Sequence, residues 1–113
     1  MEATCGLKIH VVRGNRIGKQ RAVAVIKREL SARLDEIKIW IPDFTPKWTH
    51  GVFEDTLWFS GVGAGWGQGT LSVSDTLITV DGNVEIPLIV SLVLGDEKQM
   101  NRRVNEVLDS LGL

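Results

Sequence analysis

The chain has 113 residues, with 13 Lys and Arg against 14 Asp and Glu and a formal net charge of −1. That length suits one small domain spanning 1–113, and 43% hydrophobic with 24% charged residues is ordinary globular usage that argues against wholesale disorder. A single cysteine, Cys5, excludes an internal disulfide and a cysteine-rich zinc cage, and the near-zero charge argues against a uniformly basic nucleic-acid binder.

Met1–Cys5 lacks a basic stretch leading into an apolar one, so no secretory signal is expected. From Gly6 to Arg13, Leu7, Ile9 and Val11 alternate with Lys8, His10 and Val12, the period of a half-buried strand. Gly14-Asn15 reads as a turn, with Asn15 placed to cap the next element. Residues of about 16–35 read as a helix, because Val23, Ile26, Leu30 and Leu34 recur at three and four. Glu36 to Ile41 returns to period two, with Ile37, Ile39 and Ile41 against Lys38 and Trp40, and predicts a strand ended by Pro42. Asp43 to Gly51, with Pro46, Trp48 and His50, reads as a loop.

Val52 to Ser60 predicts a strand with Leu57 and Phe59 on one side and Trp58 on the other. A glycine-rich stretch follows, with glycine at every second position from Gly61 to Gly69. Thr70 to Ser74 and Leu77 to Val80 read as short strands, and Asp81-Gly82 as a hairpin turn. From Val84 to Leu94 every even position is apolar, which predicts a long strand, with Pro87 marking an edge or a bend. Glu85, Pro87 and Ser91 interrupt this run, and a membrane-spanning helix needs about 20 residues, so no membrane span is expected and a cytoplasmic protein is the default. Asp96 to Leu111 is the clearest helix, opened by Asp96 and Gln99 as a capping box and closed by Gly112. The order β-α-β-β-β-β-α predicts an α+β fold: an antiparallel sheet of about five strands with two helices on one face.

The glycine stretch invites comparison with phosphate-binding loops. No frame of it matches Gly-x-Gly-x-x-Gly, and no helix follows it. Strict alternation has another meaning: an extended stretch would present a face without side chains to a ring or a backbone, whereas a loop would form a lid. Both readings stand. His10 and His50 offer no metal-ligand spacing, so no metal or cofactor is expected. Glu54 and Asp55, as strand neighbours, would point to opposite faces and so would not share a proton. No nucleophile, base and orienting group stand together in the sequence, so a non-enzymatic role is expected.

Trp40, Trp48, Trp58 and Trp66 are many for this length and suit either a thin core or a ligand surface. The charge is polarised. Residues 1–34 carry Lys8, Arg13, Arg16, Lys19, Arg21, Lys27, Arg28 and Arg33 against Glu2 and Glu29, so the remainder of the chain is acidic. A basic first helix suits a solvated face, self-association or contact with anions.

Trp48-x9-Trp58 encloses Asp55-Thr-Leu-Trp-Phe-Ser-Gly61, followed by Gly69-Thr-Leu-Ser-Val-Ser-Asp75, Leu77-Ile-Thr-Val80, a long aliphatic segment and a final helix containing Asn105-Glu-Val-Leu-Asp109. Over roughly residues 16–111 this pattern resembles the small bacterial proteins named for the polyhydroxyalkanoate granule system. The resemblance implies a helix, a run of strands and a closing helix in an accessory protein of such granules, and it implies no catalytic residues. The chain differs in its glycine-rich 61–69 and in its strand at 6–13.

The sequence therefore leads to a binding or accessory module. It would engage a hydrophobic ligand or protein partner through an open sheet face carrying Trp40, Trp58 and Trp66 beside the glycines Gly63, Gly65 and Gly67. One alternative is nucleic-acid or anionic-surface binding by Arg16, Lys19, Arg21 and Arg28. Another is a self-associating subunit that pairs through 84–94 or a sheet edge.

Overall fold

The computed structural model describes residues 4–62, 66–89, 92 and 95–113, with Trp40 described by its backbone alone. Five strands, β1 (Thr4–Gly14), β2 (Thr45–His50), β3 (Glu54–Val62), β4 (Trp66–Ser74) and β5 (Leu77–Pro87), form one antiparallel sheet in the order β1-β5-β4-β3-β2. Two long helices, α1 (Lys19–Trp40) and α2 (Glu97–Ser110), complete the α+β fold in the expected order.

The register sorts side chains into two faces. Val11, Val80, Leu71, Leu57 and Trp48 form one row across all five strands on the inner face, and Arg13, Ile78, Val73, Asp55 and His50 form the next. Ala22, Val23 and Ile26 of α1 and Leu108 of α2 join Val11, Leu57, Val73, Ile78 and Val80 in one core cluster, so both helices cover this inner face. Val73 and Ile78 are fully buried at its centre. The two helices occupy different halves. Lys19 reaches Gly51 at one end of β3 and Ile41 reaches Gly61 at the other, so α1 lies along β3. α2 lies along β1.

Edge strands expose unpaired backbone groups. Along α2, Glu97, Asn101, Asn105 and Asp109 recur every fourth residue and so share a face. The backbone N–H groups of Lys8 and His10 donate to Glu97 Oε1 and Asn101 Oδ1, each at 2.9 Å. Arg13 extends this contact to the Asn105 carbonyl at 3.1 Å and Asp109 Oδ1 at 2.5 Å, and also donates to the Leu113 carbonyl. A polar stripe on a helix thus covers the β1 edge.

Several expected elements fall elsewhere. Residues 36–41 form no strand: α1 runs on to Trp40, and the Ile41 N–H donates to the Ile37 carbonyl at 2.8 Å. The three isoleucines alternate, but Ile37 also follows Leu30 and Leu34 at helical spacing, and nothing before Pro42 interrupts the backbone ladder. The next strand is β2, in the segment expected to be a loop; Pro46 is tolerated there because β2 is an edge. β3 begins at Glu54, and Val52 and Phe53 form an exposed bend.

Asp81-Gly82 is not a turn but lies inside β5, with Gly82 paired to Ile9 and Gly69. The reversal comes at Asp75-Thr76, where Ser74 Oγ accepts from the Thr76 and Leu77 N–H groups at 3.3 and 2.9 Å. The strand expected to reach residue 94 stops at Pro87, which cannot extend a ladder, and Leu88 and Ile89 are helical. Val90 and Leu94 lie outside the described residues.

The helix starts also differ in kind. α2 has the expected capping box, with the Gln99 N–H on Asp96 Oδ1 at 3.0 Å and the Asp96 N–H on Gln99 Oε1 at 3.2 Å. α1 is capped from a distance: the Lys19 N–H donates to Asp75 Oδ1 at 3.0 Å, while Asn15 Oδ1 accepts from Ile17 and Gly18 in the preceding turn.

Candidate functional site

Side chains at the alternate positions of all five strands form an outer face that neither long helix covers. Its rows follow from the register: His10, Asp81, Thr70, Trp58 and Lys47, then Lys8, Asn83, Gln68, Ser60 and Thr45. In the row beyond, Glu85, Trp66 and Val62 are neighbours. A shallow depression of about 530 Å³ is lined by Trp58, Lys47, Thr70, Asp81 and Asn83. A second, of about 420 Å³, is lined by Trp66, Val62, Gly61 and Asp43. Both share Thr45, Ser60 and Gln68, so they form one continuous groove across β2, β3, β4 and β5.

Trp58 and Trp66 stand at opposite ends of this groove, 51% and 47% exposed. Trp58 pairs with Thr70, four residues along β4 from Trp66, a separation of about 13 Å at strand rise. Trp58 Nε1 donates to Thr49 Oγ1 at 3.1 Å, which satisfies the indole N–H and leaves ring surface rather than a donor for a ligand. His10 Nδ1 lies 2.5 Å from Asp81 Oδ1 and braces that carboxylate at the groove edge.

The expected site residues separate. Trp58 and Trp66 share the outer face, and the backbone of Gly61 and Gly67 lines the groove beside Trp66, although by register both belong with Gly69 to the inner row. The open question about 61–69 resolves in part: 61–62 end β3 and 66–69 begin β4, while Gly63 and Gly65 fall outside the described residues. The glycine track is filled by the chain itself. A Cβ at Gly69 would lie 2.8 Å from the Phe59 ring, and one at Gly61 would strike Ile41. Trp40 ends α1 instead of joining a strand. Trp48 faces inward, beneath Lys27 Nζ at 5.3 Å from its ring centroid.

A second cluster lies at the far end of the inner face. Asp55, nearly buried, holds His50 Nδ1 at 3.1 Å, accepts the Gly51 N–H at 3.3 Å and stands 3.9 Å from Lys19 Nζ. The His50 hydrogen bond, helped by the Gly51 N–H and the Lys19 charge, outweighs burial and lowers the Asp55 pKa. Lys19 is therefore engaged within the fold, while Arg16, Arg21 and Arg28 are exposed with no ion pair among the described residues. No group of three or more His, Cys, Asp or Glu among the described residues is placed to hold a metal, and no described helix is long and apolar enough to cross a membrane.

The groove residues that sequence reading missed are Thr45, Lys47, Gln68, Thr70, Asp81 and Asn83. Their only signal is polar alternation at 68 and 70 and at 81 and 83, and reading Asp81-Gly82 as a turn conceals the second pair. Fold and groove together define the chain as an α+β domain with one covered and one open sheet face. Compared with known proteins, it matches no family model, no curated protein and no solved structure.

Proposed function

We propose that the chain is a non-enzymatic binding module that holds an extended ligand on the outer face of its sheet. The observation that carries this reading is the pair of half-exposed tryptophans at the two ends of one continuous groove. Tryptophan offers large contact area at low rotamer cost, and a few polar groups around an aromatic contact orient what binds there. Trp58 is held in place by Thr49, so little ordering remains to be done on binding. A cytoplasmic setting belongs to the same proposal.

The test is a nuclear magnetic resonance screen of small soluble fragments against the isotope-labelled chain. Fragment-induced shifts are expected to gather on Trp58, Trp66, Thr70 and Gln68. Shifts that gather on the helices or the β2–β3 bend instead would overturn the reading.

A further inference from the structure

The binding-module reading leaves the ligand unnamed, and the inference here rests on that reading. We propose that the groove between Trp58 and Trp66 takes a neutral oligosaccharide. Between the two rings the side chains are hydroxyls and amides: Thr45, Ser60, Gln68, Thr70 and Asn83. Each hydroxyl both donates and accepts, and each amide presents a donor and an acceptor in one plane. A chain of sugar units needs that combination, because its ring edges carry hydroxyls while its C–H faces are apolar and lie flat on an aromatic ring.

Charge selects the same ligand. The ionisable side chains lining the groove are Lys47, Asp81 and Asp43. Asp43 Oδ1 already accepts the Val62 N–H at 3.0 Å, and Asp81 already faces His10. Lys47 is outnumbered by the two aspartates, so the groove carries no surplus of positive charge to neutralise a phosphate backbone. Apart from the two tryptophans, the apolar side chains that line the groove are turned away from its middle: the Phe59 ring lies against Gly69 on the inner face and Val62 stands at the Trp66 end, so a protein partner, whose interface core is apolar, has little to meet between the rings. The strand positions of the two tryptophans are about 13 Å apart along β4, more than one sugar ring, so the fit is to an oligomer that meets both tryptophans.

The test titrates the intact chain with cellohexaose, mannohexaose and chitohexaose by calorimetry and tryptophan emission, with poly(U) and an unstructured octapeptide as competing classes. At least one hexasaccharide is expected to bind saturably. Trp58→Ala and Trp66→Ala are each expected to weaken it by about tenfold, the loss of one aromatic contact. Asp81→Asn is expected to weaken it less, and the disaccharide of the same series to bind more weakly than the hexamer. Circular dichroism verifies that each variant is folded, which the half-exposed positions favour. If no hexasaccharide binds while fragments still gather on this face, the carbohydrate assignment is overturned and the binding face stands. Salt-dependent binding of poly(U), or saturable binding of the octapeptide, without hexasaccharide binding overturns it in favour of that class. Hexasaccharide binding that neither tryptophan substitution weakens overturns the groove as its site.

Discussion

His50 Nδ1 and Asp55 Oδ2 meet at 3.1 Å across the β2–β3 pair, on the side of the sheet that faces α1. The same carboxylate accepts the Gly51 N–H and stands near Lys19 Nζ, so one acidic group ties the bend between two strands to the first turn of a helix.

That arrangement sets a pH dependence. The Asp55 pKa is lowered in the folded chain, chiefly by the His50 hydrogen bond, from an ordinary value of 3.8. A depressed carboxylate contributes stability that is present above the unfolded value and is lost as pH falls through the folded value. Asp55→Asn is therefore expected to cost about 1–3 kcal/mol at neutral pH, as for a nearly buried carboxylate whose charge is removed from its hydrogen bonds and from Lys19. Urea unfolding of both proteins across the acid range checks it: the difference should shrink below pH 3.8.

Arg13 joins β1 to the end of α2 through Asn105, Asp109 and the Leu113 carbonyl. Its side chain is only 18% exposed, and although Asp109 is open to water, removing Arg13 strands the part-buried Asn105 and Leu113 carbonyls, which water replaces poorly. Arg13→Ala is expected to lower unfolding free energy by about 1.5–3 kcal/mol, and Arg13→Lys to recover only part of that, because an ammonium lacks the planar fork. Denaturant titration measures both, and α2 amides should exchange faster in the Ala variant.

The β1 edge gives a local readout. Asn101→Ala removes the acceptor of the His10 N–H. Hydrogen exchange at that amide is expected to accelerate strongly, while the amides of β4 stay protected. Equal acceleration in both strands would mean that the contact supports the whole fold and does not merely cover an edge.

Gly61 and Gly69 differ in what would have to move. A Cβ at Gly69 meets the Asp81 carbonyl at 2.6 Å as well as the Phe59 ring, and a strand carbonyl cannot step aside. A Cβ at Gly61 meets the Ile41 side chain. Gly69→Ala is expected to cost about 1–3 kcal/mol, with no rescue by shortening a neighbour. Gly61→Ala should be partly rescued by Ile41→Ala, and a double-mutant cycle in urea reads the coupling.

Much of the fold is legible in the chain where the deciding contacts are local. The capping box of Asp96 and Gln99 spans three residues and holds as expected. The alternation of Leu7, Ile9 and Val11 places those residues inward on β1, and Val23 and Ile26 fall on the buried side of α1 as their spacing requires. Less of the groove is legible. Trp58 and Trp66 stand out by residue type, but Gln68, Thr70, Asp81 and Asn83 are ordinary polar strand residues until pairing aligns them in rows.

The sequence by itself determined the α+β class, the alternation along β1 and along the middle of β3, the capped C-terminal helix and the exclusion of an internal disulfide. Tertiary structure decided whether 36–41 coils or extends, that Asp81-Gly82 lies mid-strand, that Pro46 sits on an edge, and that Trp58 and Trp66 face outward while Trp48 faces inward. The physical reason is one of range. Period two states which neighbours share a side, but which side is covered depends on the register with strands far away in the chain and on where a helix finds an apolar surface to bury.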